Sequence, residues 1–149
     1  MEFRTATTED LPAIVRLLAD DDLGRGRELY DDPLPREYRD AFAAMASQSG
    51  NEMIVAIEGN EVVGCLQLIL ITGLSRRGML RAQIEAVRVV RGRRGSGIGE
   101  ALLRHAIDLA RLRGCGLVQL TTDRSRRDAH RFYERLGFVA SHVGMKLTL

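Results

Sequence analysis

The chain has 149 residues, with 22 Lys and Arg against 20 Asp and Glu, a net charge of +2. A chain of that length fits one domain and buries about two-thirds of its unfolded surface, so its core needs neither disulfides nor a structural metal. The near balance of charge excludes a polybasic nucleic-acid or membrane-surface binder, and 45% hydrophobic with 28% charged residues excludes wholesale disorder.

Residues 3–6 read as a first strand. Thr7 and Thr8 followed by Glu9 and Asp10 give a helix start, a hydroxyl cap with acids at the positive end of the dipole. Leu11, Ile14, Val15, Leu17 and Leu18 carry helical spacing to about Asp20. Residues 23–35 hold Gly, Pro and Asp and read as a loop. Pro35 suits the first turn of a second helix ending near Ser47, with Tyr38, Phe42 and Met45 on one side. Residues 53–57 and 62–72 are predicted strands joined by a tight turn at Gly59 and Asn60. A polar loop over 73–78 leads to a long strand over 80–90. A glycine-rich entry and a long amphipathic helix span 95–113, then a strand spans 117–122. A short helix over 128–136 is stopped by Gly137. Residues 138–141 and 143–148 are predicted as closing strands. The order implies a single domain over 1–149 of the α+β class, with mixed α/β layers.

No run is long and apolar enough for a membrane span, and residues 1–4 carry no apolar signal region, so a soluble, cytoplasmic protein is expected. Cys65 and Cys115 lack CxxC spacing and read as reduced thiols. The scattered His105, His130 and His142 form no metal-ligand pattern, so no metal is expected. His105 falls on the apolar arc of its helix and reads as a packing residue.

The most informative stretch runs from Arg91 to Glu100, between a strand and a helix. Glycines there let backbone amides turn toward an anion, and the helix N-terminus adds partial positive charge. It is not a P-loop, because Ile98 stands where the lysine belongs. It is not the dinucleotide fingerprint, because Glu100 stands where the third glycine belongs. What remains is Arg94-x-x-Gly97-x-Gly99 entering an apolar helix.

Arg94-Gly95-Ser96-Gly97-Ile98-Gly99-Glu100-Ala101-Leu102-Leu103 resembles the acyl-CoA pyrophosphate loop of the GNAT N-acetyltransferase superfamily. Ala129-His130-Arg131-Phe132-Tyr133-Glu134-Arg135-Leu136-Gly137-Phe138 resembles the family's second signature, in the right order and spacing. The resemblance covers essentially the whole chain. It implies a central, mostly antiparallel sheet flanked by helices, with acetyl-CoA as co-substrate. It implies that Arg94, Gly95, Ser96, Gly97, Ile98 and Gly99 take the pyrophosphate. It further implies that the backbone of Val87, Arg88 and Val89 pairs with the pantetheine arm like an added strand.

Acyl transfer to an amine needs a neutral nucleophile and a proton for the departing thiolate. Tyr133 matches the family's general acid, and a phenol keeps its proton at neutral pH. Glu85 is the candidate base. With Arg81 and Gln83 it alternates onto one face of its strand, opposite Ala82 and Ile84, and the family often places a glutamate here, acting through water. The alternative for Glu85 is a structural ion pair with Arg81 or Arg88. One departure stands out: many relatives carry asparagine seven residues before the tyrosine, and here that residue is Arg126.

Asp20, Asp21, Asp22, Glu28, Asp31 and Asp32 lie in the segment that shapes the acceptor pocket in relatives. Read as an acidic rim, they would attract a cationic amine and disfavour acidic acceptors; read as a solvated loop, they would do neither. The expected function is acetyl transfer from acetyl-CoA to a primary amine of a small molecule, by direct attack. The rivals are a non-catalytic acyl-CoA-binding module and a protein or peptide N-terminal acetyltransferase. A nucleic-acid binder is a weaker third reading, since few aromatics interleave the arginines. The expected partner is the small-molecule amine, with no nucleic acid and no membrane, and a homodimer is left open.

Overall fold

A computed structural model describes residues 1–22 and 24–149. Strand β1 (Glu2–Thr5) leads through a 3-10 turn (Thr8–Asp10) into α1 (Leu11–Ala19). Helix α2 (Arg36–Ala46), the hairpin of β2 (Asn51–Glu58) and β3 (Glu61–Ile71), and β4 (Arg81–Val89) follow. After a 3-10 turn (Arg91–Arg93) come α3 (Ile98–Leu112), β5 (Leu117–Leu120) and α4 (Arg127–Arg135). These elements fall where the sequence places them, within a few residues. Leu23, first residue of the predicted loop, lies outside the described residues.

The sheet runs in the order β1-β2-β3-β4-β5. Its first four strands pair antiparallel, and β5 joins β4 in parallel. A parallel pair needs a crossover, and α3 supplies it. The sheet is therefore mostly antiparallel and flanked by helices, as expected.

Alternation along β2 sorts the core into two layers. Ile54 and Ala56 pack with Leu66, Leu68, Ala82 and Ile84 under the α3 residues Ile98, Leu102, Leu103, Ala106 and Ala110. Phe132, Tyr133 and Leu136 cover the same layer from around α4. Met53, Val55 and Cys65 face the other way, against Ile14 and Leu17 of α1 and Phe42 and Met45 of α2. The start of α1 is pinned by Asp10, whose carboxylate accepts two bonds from Arg4, at 2.7 and 2.9 Å, and one from the Thr7 amide at 2.7 Å.

One expectation fails. Residues 138–141 and 143–148 form no strand; among the described residues the sheet ends at β5. A strand is not a local structure, because its backbone groups must find a neighbouring chain segment. Beyond Phe138, the recorded backbone bond is Ser141 N–H to Val139 O, and residues 142–149 form none among the described residues.

Candidate active site

The site is organised by an irregularity in β4. Gln67 opposes Glu85 and Cys65 opposes Arg88, so the single residue Leu66 faces both Ala86 and Val87. That is a β-bulge, and Ala86 takes φ 54°, rare for a residue with a Cβ. The extra residue shifts the alternation. Ala82 and Ile84 face the α3 layer before the bulge, and Val87 and Val89 face it afterwards. Glu85 and Arg88 consequently share the opposite side.

The bulge also ends the pairing of β4 with β5. The parallel register covers Arg81 to Ile84 only, against Leu117 to Leu120. Beyond it, Val87 O accepts from Arg88 Nη1 at 2.8 Å and Val89 O from Arg94 Nε at 3.3 Å. These carbonyls are bound by arginine side chains rather than by a neighbouring strand.

The glycine loop follows. Gly95 and Gly97 take φ 81° and 88°, conformations that favour glycine. The first helical bond of α3 runs from Ala101 N–H to Gly97 O. The amides of Gly95, Gly97, Ile98 and Gly99 have no backbone acceptor among the described residues, so they form a cradle for an anion at a helix N-terminus. A Cβ on Gly99 would touch Val89 and Phe132 at 3.5 and 3.7 Å, so this glycine lets α3 pack closely. These groups fit a pyrophosphate through backbone donors.

Tyr133 lies on α4 against the α3 layer, its ring 5.3 Å from Phe132 and 5.9 Å from Phe138. Burial pushes its phenol above the usual value, with Arg126 and Arg88 opposing and Glu85 adding to the rise. Glu85 accepts a hydrogen bond from Gln83 Nε2 at 2.8 Å. The ion-pair alternative for Glu85 is not realised, since Arg81 donates to Gln119 and Arg88 pairs with Asp21.

The acidic rim takes a different form from that expected. Asp20 and Asp22 pair with Arg91, and Asp21 lies between Arg88 and Arg126, each 3.3 Å away. Asp21 is 5% exposed, and its Oδ2 has no hydrogen-bond partner, nor has Arg88 Nε. Burial pulls the Arg88 pKa down, Asp21 opposes this, and Arg126 and Arg27 add to the fall. Sequence reading placed Asp21 among the acids of the rim but not between two arginines, did not find the bulge, and left Arg126 without a role.

The remaining polar candidates are structural. His105 stacks on Phe3 with ring centroids 4.9 Å apart. His130 Nε2 lies 2.9 Å from Asp123 O. Burial pushes the Cys65 thiol up to about 12. Among the described residues no group of His, Cys, Asp and Glu is arranged to hold a metal, and no helix is long and apolar enough to cross a membrane.

Comparison with known proteins bears directly on this geometry. The model of the Acetyltransferase (GNAT) family matches residues 12–138. The chain belongs to the GNAT acetyltransferase family. It is an acetyl-transferring enzyme, and the family uses acetyl-CoA as co-substrate. An aminoalkylphosphonate N-acetyltransferase of Salmonella typhimurium is 35% identical over 95% of this chain and 86% of its own. A crystal structure described as a transcriptional regulator from Bacillus halodurans is 50% identical, with a TM-score of 0.97 over 99% of both chains. A putative acetyltransferase from Agrobacterium tumefaciens is 32% identical, with a TM-score of 0.89 over 100% of both.

Proposed function

We propose that this GNAT enzyme acetylates the primary amine of a small molecule that also carries an anionic group. The observation that carries the reading is the arrangement around Asp21. A carboxylate, almost wholly buried and with one oxygen unbonded, is shared by two guanidinium groups on the Glu85 side of the sheet. One acid against two cations leaves positive charge uncompensated, and buried charge is costly without a partner. A phosphonate, phosphate or carboxylate on the acceptor would supply that partner, competing with Asp21 for Arg88 and Arg126. The Salmonella relative named for aminoalkylphosphonates supports the same class.

Within this reading the residues divide the chemistry. Acetyl-CoA brings an activated acyl group as a thioester. The amides of Gly95, Gly97, Ile98 and Gly99 hold its pyrophosphate, and the Val87–Val89 backbone aligns its arm. Glu85 removes the ammonium proton through water, which frees the lone pair for direct attack. Tyr133 gives its proton to the departing thiolate.

The test is a set of matched amines, with and without a terminal phosphonate, plus a peptide N-terminus, read by release of free CoA. The anionic amines should be the better substrates. Arg88→Gln or Arg126→Gln should raise KM roughly 10- to 100-fold for the anionic amine, the scale of a lost charged hydrogen bond, and leave the uncharged isostere nearly unaffected. Equal KM changes for both amines would reject the anion reading. Preference for the peptide would favour the N-terminal acetyltransferase reading instead. The name of the Bacillus halodurans structure raises nucleic acid as a partner. Here the half-exposed Arg91 and Arg93 of the loop before α3 are paired with acids, which disfavours a phosphate-tracking surface.

Glu85→Gln keeps the side chain's shape and its hydrogen-bonding capacity toward Gln83. Turnover should fall most near neutral pH and partly recover at high pH, where more amine is already neutral. An unchanged pH–rate profile, measured with a known acceptor, would remove Glu85 from the proton path.

A further inference from the structure

Among the described residues, one hydrogen bond holds the Glu85 carboxylate: Gln83 Nε2 donates to its Oε1 at 2.8 Å. Other neighbours are engaged elsewhere. Gln67 lies opposite Glu85 on β3, but its amide donates to Asn51 Oδ1 at 2.8 Å, and Arg88 pairs with Asp21. The bond from Gln83 is the end of a longer chain. Gln119 Nε2 donates to Gln83 Oε1 at 2.7 Å, and Arg81 Nη1 donates to Gln119 Oε1 at 3.2 Å. Gln83 and Gln119 stand in register across β4 and β5. Val118 and Leu120 pack on the α3 layer, so Gln119 lies on the other side of the sheet, with Arg81, Gln83 and Glu85.

We infer that Arg81, Gln119 and Gln83 form a directed relay that positions the Glu85 carboxylate for its work on the acceptor ammonium. The inference rests on Glu85 as the base. The direction of the relay is fixed by its ends. A guanidinium only donates and a carboxylate only accepts, whereas each amide does both. Turning either glutamine over would set donor against donor and acceptor against acceptor, so all three bonds point from Arg81 to Glu85. The bonds are partly buried, where hydrogen bonds in series polarise one another. With Oε1 occupied, Oε2 is the oxygen left for the water that takes the ammonium proton. A glutamate turns about several side-chain bonds, and one already held needs no reorganisation when the proton moves. Arg81 enters β4 about 13 Å ahead of Glu85 along the strand, so its influence on that oxygen passes through the two amides.

The test is turnover of 3-aminopropylphosphonate and its 2,2-difluoro analogue, with propylamine and 2,2-difluoropropylamine as counterparts lacking the phosphonate, read by release of free CoA. Fluorine lowers the basicity of the amine, so more of it arrives neutral and needs no base. Gln119→Leu should lower kcat for the basic amines about 10- to 100-fold, the cost of a misplaced group. The loss should shrink for the fluorinated amines, with KM and acetyl-CoA affinity near the parent. Gln119→Glu keeps the shape and the bond from Arg81 but cannot donate to Gln83, so it should lose as much. It decides the matter if the leucine variant fails to fold, as judged by Tm. Equal losses on basic and fluorinated amines, or a parent-like kcat in the Glu variant, overturn the relay. Glu85→Gln is measured alongside. If it shows the basicity-dependent loss and the Gln119 variants do not, the relay alone falls. If it shows none, the relay falls together with Glu85 as the base.

Discussion

Gly97→Asp should lose acetyl-CoA binding, by calorimetry, by at least about 100-fold, an effect of roughly 3 kcal/mol. The expectation rests on three features of the loop. Gly97 sits at φ 88° at the head of α3, and nothing lies within 4 Å of where its Cβ would be. Aspartate tolerates that backbone region better than most residues, so the fold should survive. Its carboxylate would then stand among unpaired amides that favour an anion, displacing the pyrophosphate and repelling it. Gly97→Asn separates charge from backbone strain, since it has nearly the same shape without the charge. It should retain a substantial part of the affinity. Parent-like binding by the aspartate variant would mean that the coenzyme lies elsewhere.

Tyr133→Phe should cut turnover by about 10² to 10⁴, the usual cost of a positioned acid, with coenzyme affinity and Tm close to the parent. The ring's contacts with Phe132 and Phe138 are kept by phenylalanine, so only the hydroxyl is removed. Burial holds the phenol protonated to higher pH than usual. The parent's turnover should therefore persist through neutral pH and fall only on the alkaline side as the phenol ionises. The Phe variant should lack that alkaline limb. Unchanged turnover under chemistry-limited conditions would leave the thiolate to be protonated by solvent.

Much of this was legible in the chain because it depends on local pattern. Ile98, Leu102, Leu103, Ala106 and Ala110 recur at helical spacing, and all five are buried under α3 as that spacing demands. Gly95 and Gly97 occupy the positive φ that their residue type suggests. What stayed hidden depends on long-range pairing. The bulge at Ala86 arises from the register between β3 and β4, and alanine carries no mark of it. Asp21 reads as one of three adjacent acids until folding sets it between Arg88, from the middle of the chain, and Arg126, from near its end. The predicted closing strand over 143–148 failed in the opposite sense: its alternation was visible, but its backbone pairs with no strand among the described residues.

The irregularity in β4 acts on the strand much as an inserted base acts on a reading frame. Upstream of Ala86, odd-numbered residues point toward α1; downstream, even-numbered ones do. Removing that one residue would restore a regular pleat and put everything after it out of phase. The Arg88 guanidinium would be driven into the aliphatic layer, and Val87 and Val89 would be turned toward the acceptor. The strand should accordingly accept changes of residue type at Ala86 far more readily than a change of length there, and sequence drift in this enzyme should preserve the count between Glu85 and Arg88 even where it alters the letters.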